Sequence, residues 1–322
     1  MTADAETPSV GEAGPGRAGP IALREMGSFH VGGRVVRLEG QPAAEYLMAE
    51  GGQPVRIDPN GSYFVEQMYA QYFFVQDEGG HWPLLFWHGG GMSGATWETT
   101  PDGRSGWLHY FLRRGWDAYL CDAVERGRSG FAPVPQVWPQ GPVIQPAESI
   151  HGRFRIDYPD TQFPREHFDR LARQMVPRWT HTDGAIMAAY LELLERTGPA
   201  IVVCHSQSGV FALRAAHARP DLVRAVVALE PASVPAFDPA VPYRAPTLVL
   251  MGDHIDEDPR WPRMRDRIQA FAAQWPQVEV VPLPARGMKG NSHMLMMDRN
   301  SLEIADLAHD WLAALPAARR AD

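Results

Sequence analysis

The sequence predicts an α/β fold, with a mainly parallel sheet of about eight strands, helices on both faces and an irregular cap. Three observations carry this expectation. Short apolar runs recur along the chain at Pro83–Trp87, Asp117–Cys121, Ala200–Cys204, Arg224–Leu229, Pro246–Met251 and Val278–Pro282, and such runs read as strands buried on both faces. Helical segments alternate with several of them, which implies a parallel sheet between helix layers. The run Ile201–Cys204 stops abruptly at His205-Ser206-Gln207-Ser208-Gly209, and a helical segment follows at once.

Taken in order, residues 1–22 are rich in Gly, Ala, Pro and Glu and read as a disordered tail. They lack a basic segment followed by an apolar one, so they do not look like a signal peptide, and a cytoplasmic location is expected by default. Ser28–Leu38 and Tyr63–Gln76 read as antiparallel strands at one end of the sheet. Gly32-Gly33 looks like a hairpin turn within the first. Helices are expected over Gly106–Arg114, Gln207–Ala218 and near Met264–Gln274. A last helix from Ser301 places Leu302, Leu307, Trp311 and Leu315 on one face. Residues 131–180 break this rhythm. Pro133, Pro135, Pro139, Pro142, Pro146, Pro159, Pro164 and Pro177 argue against a regular helix or central strand there. Trp138 and Trp179 argue against disorder, and the segment reads as a cap over the carboxyl ends of the strands. The chain is thus expected to be one domain, 23–322, with 131–180 inserted as its cap.

Composition narrows the partners. The 322 residues carry a net charge of −8, which argues against nucleic acid, since phosphate binding needs a basic surface. No segment approaches the ~20 apolar residues of a membrane span. Cys121 and Cys204 are too few for a disulfide framework and read as buried packing. A small-molecule substrate is the expected partner. The sequence leaves a homodimer open and does not specify oligomeric state.

Chemistry concentrates around Ser206. A serine on a strand–turn–helix junction is an exposed nucleophile, although Cys204 and Ser208 occupy the two positions usually held by glycine. Small side chains there, with Gly209 one step later, still let helix and strand approach. The competing reading is an ordinary helix N-cap. Acyl transfer on a serine needs a base, an acid to orient it and donors for the oxyanion. His293, in the glycine-containing loop Arg286–Met294, is a better base than His217, His254 or His309, which lie in helices or directly after a strand. Glu230 is the preferred acid, because a carboxylate ending an apolar strand needs a partner to be buried. Asp253 and Asp256 remain alternatives in an acidic loop that looks hydrated rather than metal-binding. His88-Gly89-Gly90-Gly91 supplies the oxyanion donors, with the N–H of Gly90 or Gly91 and that of Gln207 as the expected pair. Trp97, Trp138, Trp179 and Met294 are expected pocket walls. Asp122 and Arg126, in Cys121–Gly130, are assigned structural roles. No metal or organic cofactor is expected.

From about residue 80 to 315, the ordered set His88–Gly91, Arg126–Gly130, Ser206, Glu230 and His293 resembles the α/β-hydrolase superfamily. Within it the chain is similar to a bacterial esterase subgroup with an H-S-Q-S-G elbow and a glutamate after the sixth strand as triad acid. The resemblance implies a sheet order 1-2-4-3-5-6-7-8. It also implies hydrolysis of a carboxylic ester or lactone through an acyl-enzyme on Ser206. A thioesterase, amidase or carbon–carbon bond hydrolase would use the same triad. A non-catalytic binding protein on the same fold is the rival of another class.

Overall fold

A computed structural model of the chain describes residues 19–320 apart from 78, 132, 133, 135 and 239. The apolar runs join one eight-stranded sheet. In chain order the elements are β1 (Leu23–Leu38), β2 (Ala44–Leu47), β3 (Pro54–Ile57), β4 (Gly61–Val75), β5 (Leu84–Trp87), α1 (Trp107–Leu112), β6 (Ala118–Asp122), α2 (Ala147–Arg153), α3 (Phe168–Gln174), α4 (Asp183–Thr197), β7 (Ala200–His205), α5 (Gln207–Ala218), β8 (Val223–Leu229), β9 (Thr247–Met251), α6 (Trp261–Gln274), β10 (Val278–Pro282) and α7 (Ser301–Ala314). The sheet order is β1-β4-β6-β5-β7-β8-β9-β10. With the separate hairpin β2–β3 set aside, this is the order that the resemblance implies. β1 and β4 are antiparallel, and every pairing from β6 to β10 is parallel.

Strand alternation sends side chains to two buried layers. Leu84, Phe86, Leu120, Val203 and Val227 pack with Trp107, Phe111, Ile304 and Leu312 of α1 and α7. Leu85, Trp87, Val202, Cys204, Val226 and Val249 pack with Leu193, Phe211 and Ile268 of α4, α5 and α6. Burial on both faces explains the uninterrupted apolar runs. β5 lies between the strands of Cys121 and Cys204, and both thiols are free and buried. Among the described residues no helix is long and apolar enough to cross a membrane.

Several expectations need correction. Gly32-Gly33 is not a hairpin turn: β1 continues through it in register with β4, with both glycines in the left-handed region (φ 72° and 89°). The glycines answer crowding instead. A Cβ on Gly32 would lie 3.1 Å from Ala189 Cβ of α4, and one on Gly33 would lie 2.7 Å from the Val65 carbonyl. Residues 1–18 of the expected tail lie outside the described residues, as do Pro133 and Pro135. Ala22 is already tied in, accepting a hydrogen bond from Gln76 N–H (3.1 Å). The prolines of 131–180 bound short helices rather than forbidding them: Pro146 caps α2, and α3 fits between Pro164 and Pro177. Three further elements, β2, β3 and α4, were not expected. The side chains of β2 and β3 are exposed throughout, so no burial pattern marks them. α4 does carry a signal, since its buried Ile186, Ala189, Tyr190, Leu193 and Leu194 fall at helical spacing.

Candidate active site

β7 delivers Ser206 to the turn before α5. Its backbone is forced to φ 53°, ψ −115°, and its side chain makes no capping hydrogen bond. An L-residue in that region is strained, so the ordinary N-cap reading does not describe it. The two departures from glycine are accommodated differently. Cys204 points into the core. Ser208 accepts from His205 N–H (3.0 Å) and donates to the Trp87 carbonyl (2.7 Å), stitching the elbow to the end of β5. The close approach falls on Gly209, where a Cβ would sit 2.4 Å from Pro231 Cβ.

β8 ends at Glu230, itself held at φ 41° and wholly buried. One carboxylate oxygen accepts from His293 Nδ1–H (2.6 Å). The other accepts from Gly252 N–H (2.7 Å) and from the guanidinium of Arg155. Burial alone would raise the Glu230 carboxyl, but the Arg155 charge and the His293 hydrogen bond outweigh it and hold the group below its ordinary value. The alternatives are engaged elsewhere. Asp253 accepts from Gly290 N–H (2.9 Å) and His254 N–H (2.8 Å), and the exposed Asp256 pairs with Arg265.

His293 is enclosed by three rings, His205, Trp261 and Phe154, at centroid distances of 4.5, 4.8 and 5.4 Å. Its N–H donates to the Phe154 carbonyl (2.9 Å), and its own carbonyl accepts from His205 Nε2–H (3.0 Å). Buried Asp298 orders the loop before it, accepting from Ser292 N–H (2.9 Å), Ser292 Oγ (2.6 Å) and Asn291 Nδ2 (3.0 Å). Burial lowers the imidazole pKa of His293, partly opposed by Glu230. With Nδ1–H committed to Glu230, a neutral ring leaves Nε2 free to accept a proton. Ser206 Oγ makes no hydrogen bond among the described residues, and such contacts commonly tighten only when substrate is bound.

The glycine loop follows β5. Ala123 N–H donates to His88 Nε2 (3.0 Å), so Nδ1–H donates to the Gly89 carbonyl (2.8 Å). Burial pushes His88 down to about 4, consistent with this neutral tautomer. Asp122 clamps the loop by accepting from Gly94 N–H (2.6 Å) and from Arg128 N–H and Nε (both 2.8 Å). Arg126 is buried beside Glu125 (3.5 Å). A Cβ on Gly89 would lie 3.2 Å from Ser206 Cβ, so the loop runs directly against the serine.

Ser206, Gln207, Gly90, Gly91 and His293 share the wall of one cavity of about 440 Å³, within the usual range for small-molecule sites. Val143, Ile144, Phe154, Met175, Val176 and Arg178 from the 131–180 segment complete much of it, with Trp261 and Met264 from α6. None of the four residues expected as walls is there. Trp97 packs under β5 against Phe86 at 5.2 Å, and Met294 turns into the same core layer. Trp138 and Trp179 pack against each other, tilted, at 5.0 Å, in a separate cluster with Leu38 and Val65. A large apolar side chain in the sequence signals burial without saying in which layer, which is why the expectation failed. Asp160, Asp253 and His254 alone, among the described residues, group donor atoms within 4.8 Å as a metal would need. His254 there already hydrogen-bonds Asp160 at 2.8 Å.

Sequence reasoning missed Arg155 and Arg178, and it quoted His205 without a role. Arg155 sits among prolines with no local pattern, and only the fold places it beneath Glu230.

No protein-family model matches the chain. A curated protein described as a probable secreted lipase, phiG, from Fungal sp. (strain ATCC 74256), is 28% identical over 332 residues, covering 78% of this chain and 87% of its own. A solved structure described as a novel bacterial esterase matches with a TM-score of 0.80 and 34% identity, covering 94% of this chain and 99% of its own. On that likeness along nearly the whole of both chains, the protein belongs to the α/β-hydrolase superfamily, in one family with that bacterial esterase.

Proposed function

We propose that the protein is a serine hydrolase that cleaves a carboxylic ester or lactone through an acyl-enzyme on Ser206. The observation that carries this reading is the buried Glu230–His293 hydrogen bond, on the same cavity as a strained serine and a glycine loop. The esterase and lipase descriptions of its relatives support an ester as the substrate class.

In this reading His293 Nε2 takes the Ser206 proton as Oγ attacks the carbonyl carbon. Glu230 stays ionised and steadies the resulting imidazolium. The N–H groups of Gln207 and of Gly90 or Gly91 hold the oxyanion. His293 then protonates the leaving alcohol, and a water activated by the same ring releases the acid. Residues 131–180 act as the cap that shapes the substrate, through Val143, Ile144, Phe154 and Met175.

The test is covalent. A fluorophosphonate should label the protein stoichiometrically, with the adduct mapped to Ser206, and block turnover of simple esters. Labelling elsewhere, or turnover surviving full labelling, would overturn the mechanism. A panel of thioesters, amides and carbon–carbon substrates separates the other acyl transfers.

A further inference from the structure

The cavity wall contains Arg153, Arg178 and Arg260 and no carboxylate among the described residues. Arg260 is paired with Asp258 at 2.7 Å. Arg153 is exposed to solvent, whereas Arg178 is half-buried. Its side chain forms no ion pair or hydrogen bond among the described residues, and its Nε is buried without a partner. Two carboxylates near it are occupied, Glu125, which accepts from the N–H of the next residue, Trp179 (3.3 Å), and Asp183, five residues on. Glu125 pairs with Arg126 and accepts from Thr182 Oγ1 (2.7 Å), and Asp183 accepts from Gln207 Nε2 (3.3 Å).

The position of Arg178 is fixed by its backbone. It exchanges two hydrogen bonds with Val143 (3.0 and 2.7 Å), and Val176 N–H donates to the Gly91 carbonyl (2.8 Å). The guanidinium therefore stands against the glycine loop. A Cβ on Gly90 would lie 2.7 Å from Arg178 Nη1 and 2.9 Å from Gln207 Oε1. Gly89, one residue earlier, is the glycine that faces Ser206.

A half-buried guanidinium with no counter-charge among the described residues has lost part of its hydration, and its buried Nε–H is left without an acceptor there. Its planar fork suits a carboxylate, held in two parallel hydrogen bonds. Val143, Ile144, Phe154, Met175 and Trp261 around it suit an alkyl chain. We propose that Arg178 recognises a second, anionic group on the substrate, a carboxylate carried within a few atoms of the scissile carbonyl. The preferred substrates are then half-esters of dicarboxylic acids, or lactones bearing a free carboxylate, rather than neutral esters. This specificity rests on the serine-hydrolase reading of the same site.

The experiment compares monobutyl glutarate with the butyl ester of glutaramic acid, which replaces the carboxylate by a carboxamide. Hydrolysis is followed by pH-stat titration. Wild type should favour the half-ester by roughly tenfold to a hundredfold in kcat/KM, as expected for a charge-assisted hydrogen bond. In Arg178→Gln that ratio should collapse toward one, mainly through KM for the half-ester, and Arg178→Lys should recover part of it. A wild-type ratio near one, or a ratio unchanged in Arg178→Gln while kcat falls equally on both esters, would overturn the proposal; the second outcome makes Arg178 an oxyanion donor. Should the variants not fold, wild-type calorimetry decides. Glutarate should bind and glutaramide should not, and equal binding or none by either refutes the carboxylate site. Failure of the serine reading is separate: no fluorophosphonate adduct at Ser206 and neither ester hydrolysed, whatever glutarate does.

Discussion

Arg155 and Glu230 form an ion pair whose side chains are 1% and 0% exposed, directly behind the hydrogen bond from Glu230 to His293. The pair joins two distant parts of the chain. Glu230 ends the central strand β8, while Arg155 follows α2 in the irregular segment, at a strained φ of 55°. Arg155 is held in turn by the Asp253 carbonyl (2.9 Å) and lies over the Trp261 ring. A buried carboxylate next to a histidine would otherwise take up a proton, and this cation keeps it charged.

Breaking such a pair from one side leaves a buried charge uncompensated, which typically costs about 3–5 kcal/mol. Glu230→Gln should therefore lower the urea midpoint markedly as well as the rate, with kcat falling by about 10³–10⁴. The double variant Arg155→Met/Glu230→Gln should regain stability but not activity. Asp256→Asn, at an exposed residue paired with Arg265, should stay close to wild type in both. If instead the Asp256 variant is the crippled one, the acid is misassigned.

The pH profile reports the same charges. Burial lowers His293, and the Arg155 charge lowers it further. Activity needs the neutral ring, so kcat/KM should fall with acid through a midpoint below the ordinary histidine value of about 6.5. In Arg155→Gln the repelling cation is gone, so the imidazole holds its proton to higher pH, and Glu230 ionises less readily. Both changes move the acid limb upward. A limb that stays put or moves down would show that Arg155 does not act on the pair.

Asp298 offers a pH effect of another kind. Burial raises its carboxyl to about 6 despite three hydrogen bonds. The folded protein thus holds a proton that the unfolded chain has already released. Its contribution to stability is complete below about pH 4 and is lost as pH rises through about 6, roughly 3 kcal/mol by linkage. Asp298→Asn cannot titrate. The difference in urea stability between wild type and variant, measured at pH 4.5 and pH 7, should shift in the variant's favour at the higher pH. No shift would mean that Asp298 is ionised throughout.

At the elbow, Ser206→Ala should reduce kcat by ~10⁴–10⁶ while leaving the thermal midpoint near wild type. Gly209→Ala tests the backbone. Its new Cβ would collide with Pro231, forcing α5 away from the turn that carries Glu230. The expected cost is about 1–3 kcal/mol, with kcat reduced through displaced Glu230. Unchanged stability would show that the turn yields freely.

Much of the candidate site was legible because it lies at ends of elements. Ser206, Glu230 and the loop His88–Gly91 each follow a buried strand, and a polar or glycine residue ending an apolar run stands out locally. Glu230 stood out for a physical reason, the need of a buried carboxylate for a partner, and two of its partners are now identified, His293 and Arg155. The pocket was not legible. The tryptophans Trp97, Trp138 and Trp179 advertise burial without saying in which layer, and they fill the core or a separate cluster rather than the cavity.

The sequence by itself determined the parallel sheet and the residues that end its central strands, since buried runs and their terminators are local signals; the strand order came only with the resemblance to the α/β-hydrolases. Only the tertiary structure decided that Arg155 lies behind Glu230, that three rings enclose His293, and that Arg178, without a partner among the described residues, stands against Gly90. Those contacts join residues far apart in the chain, where burial and charge compensation depend on which surfaces meet. No local periodicity records that.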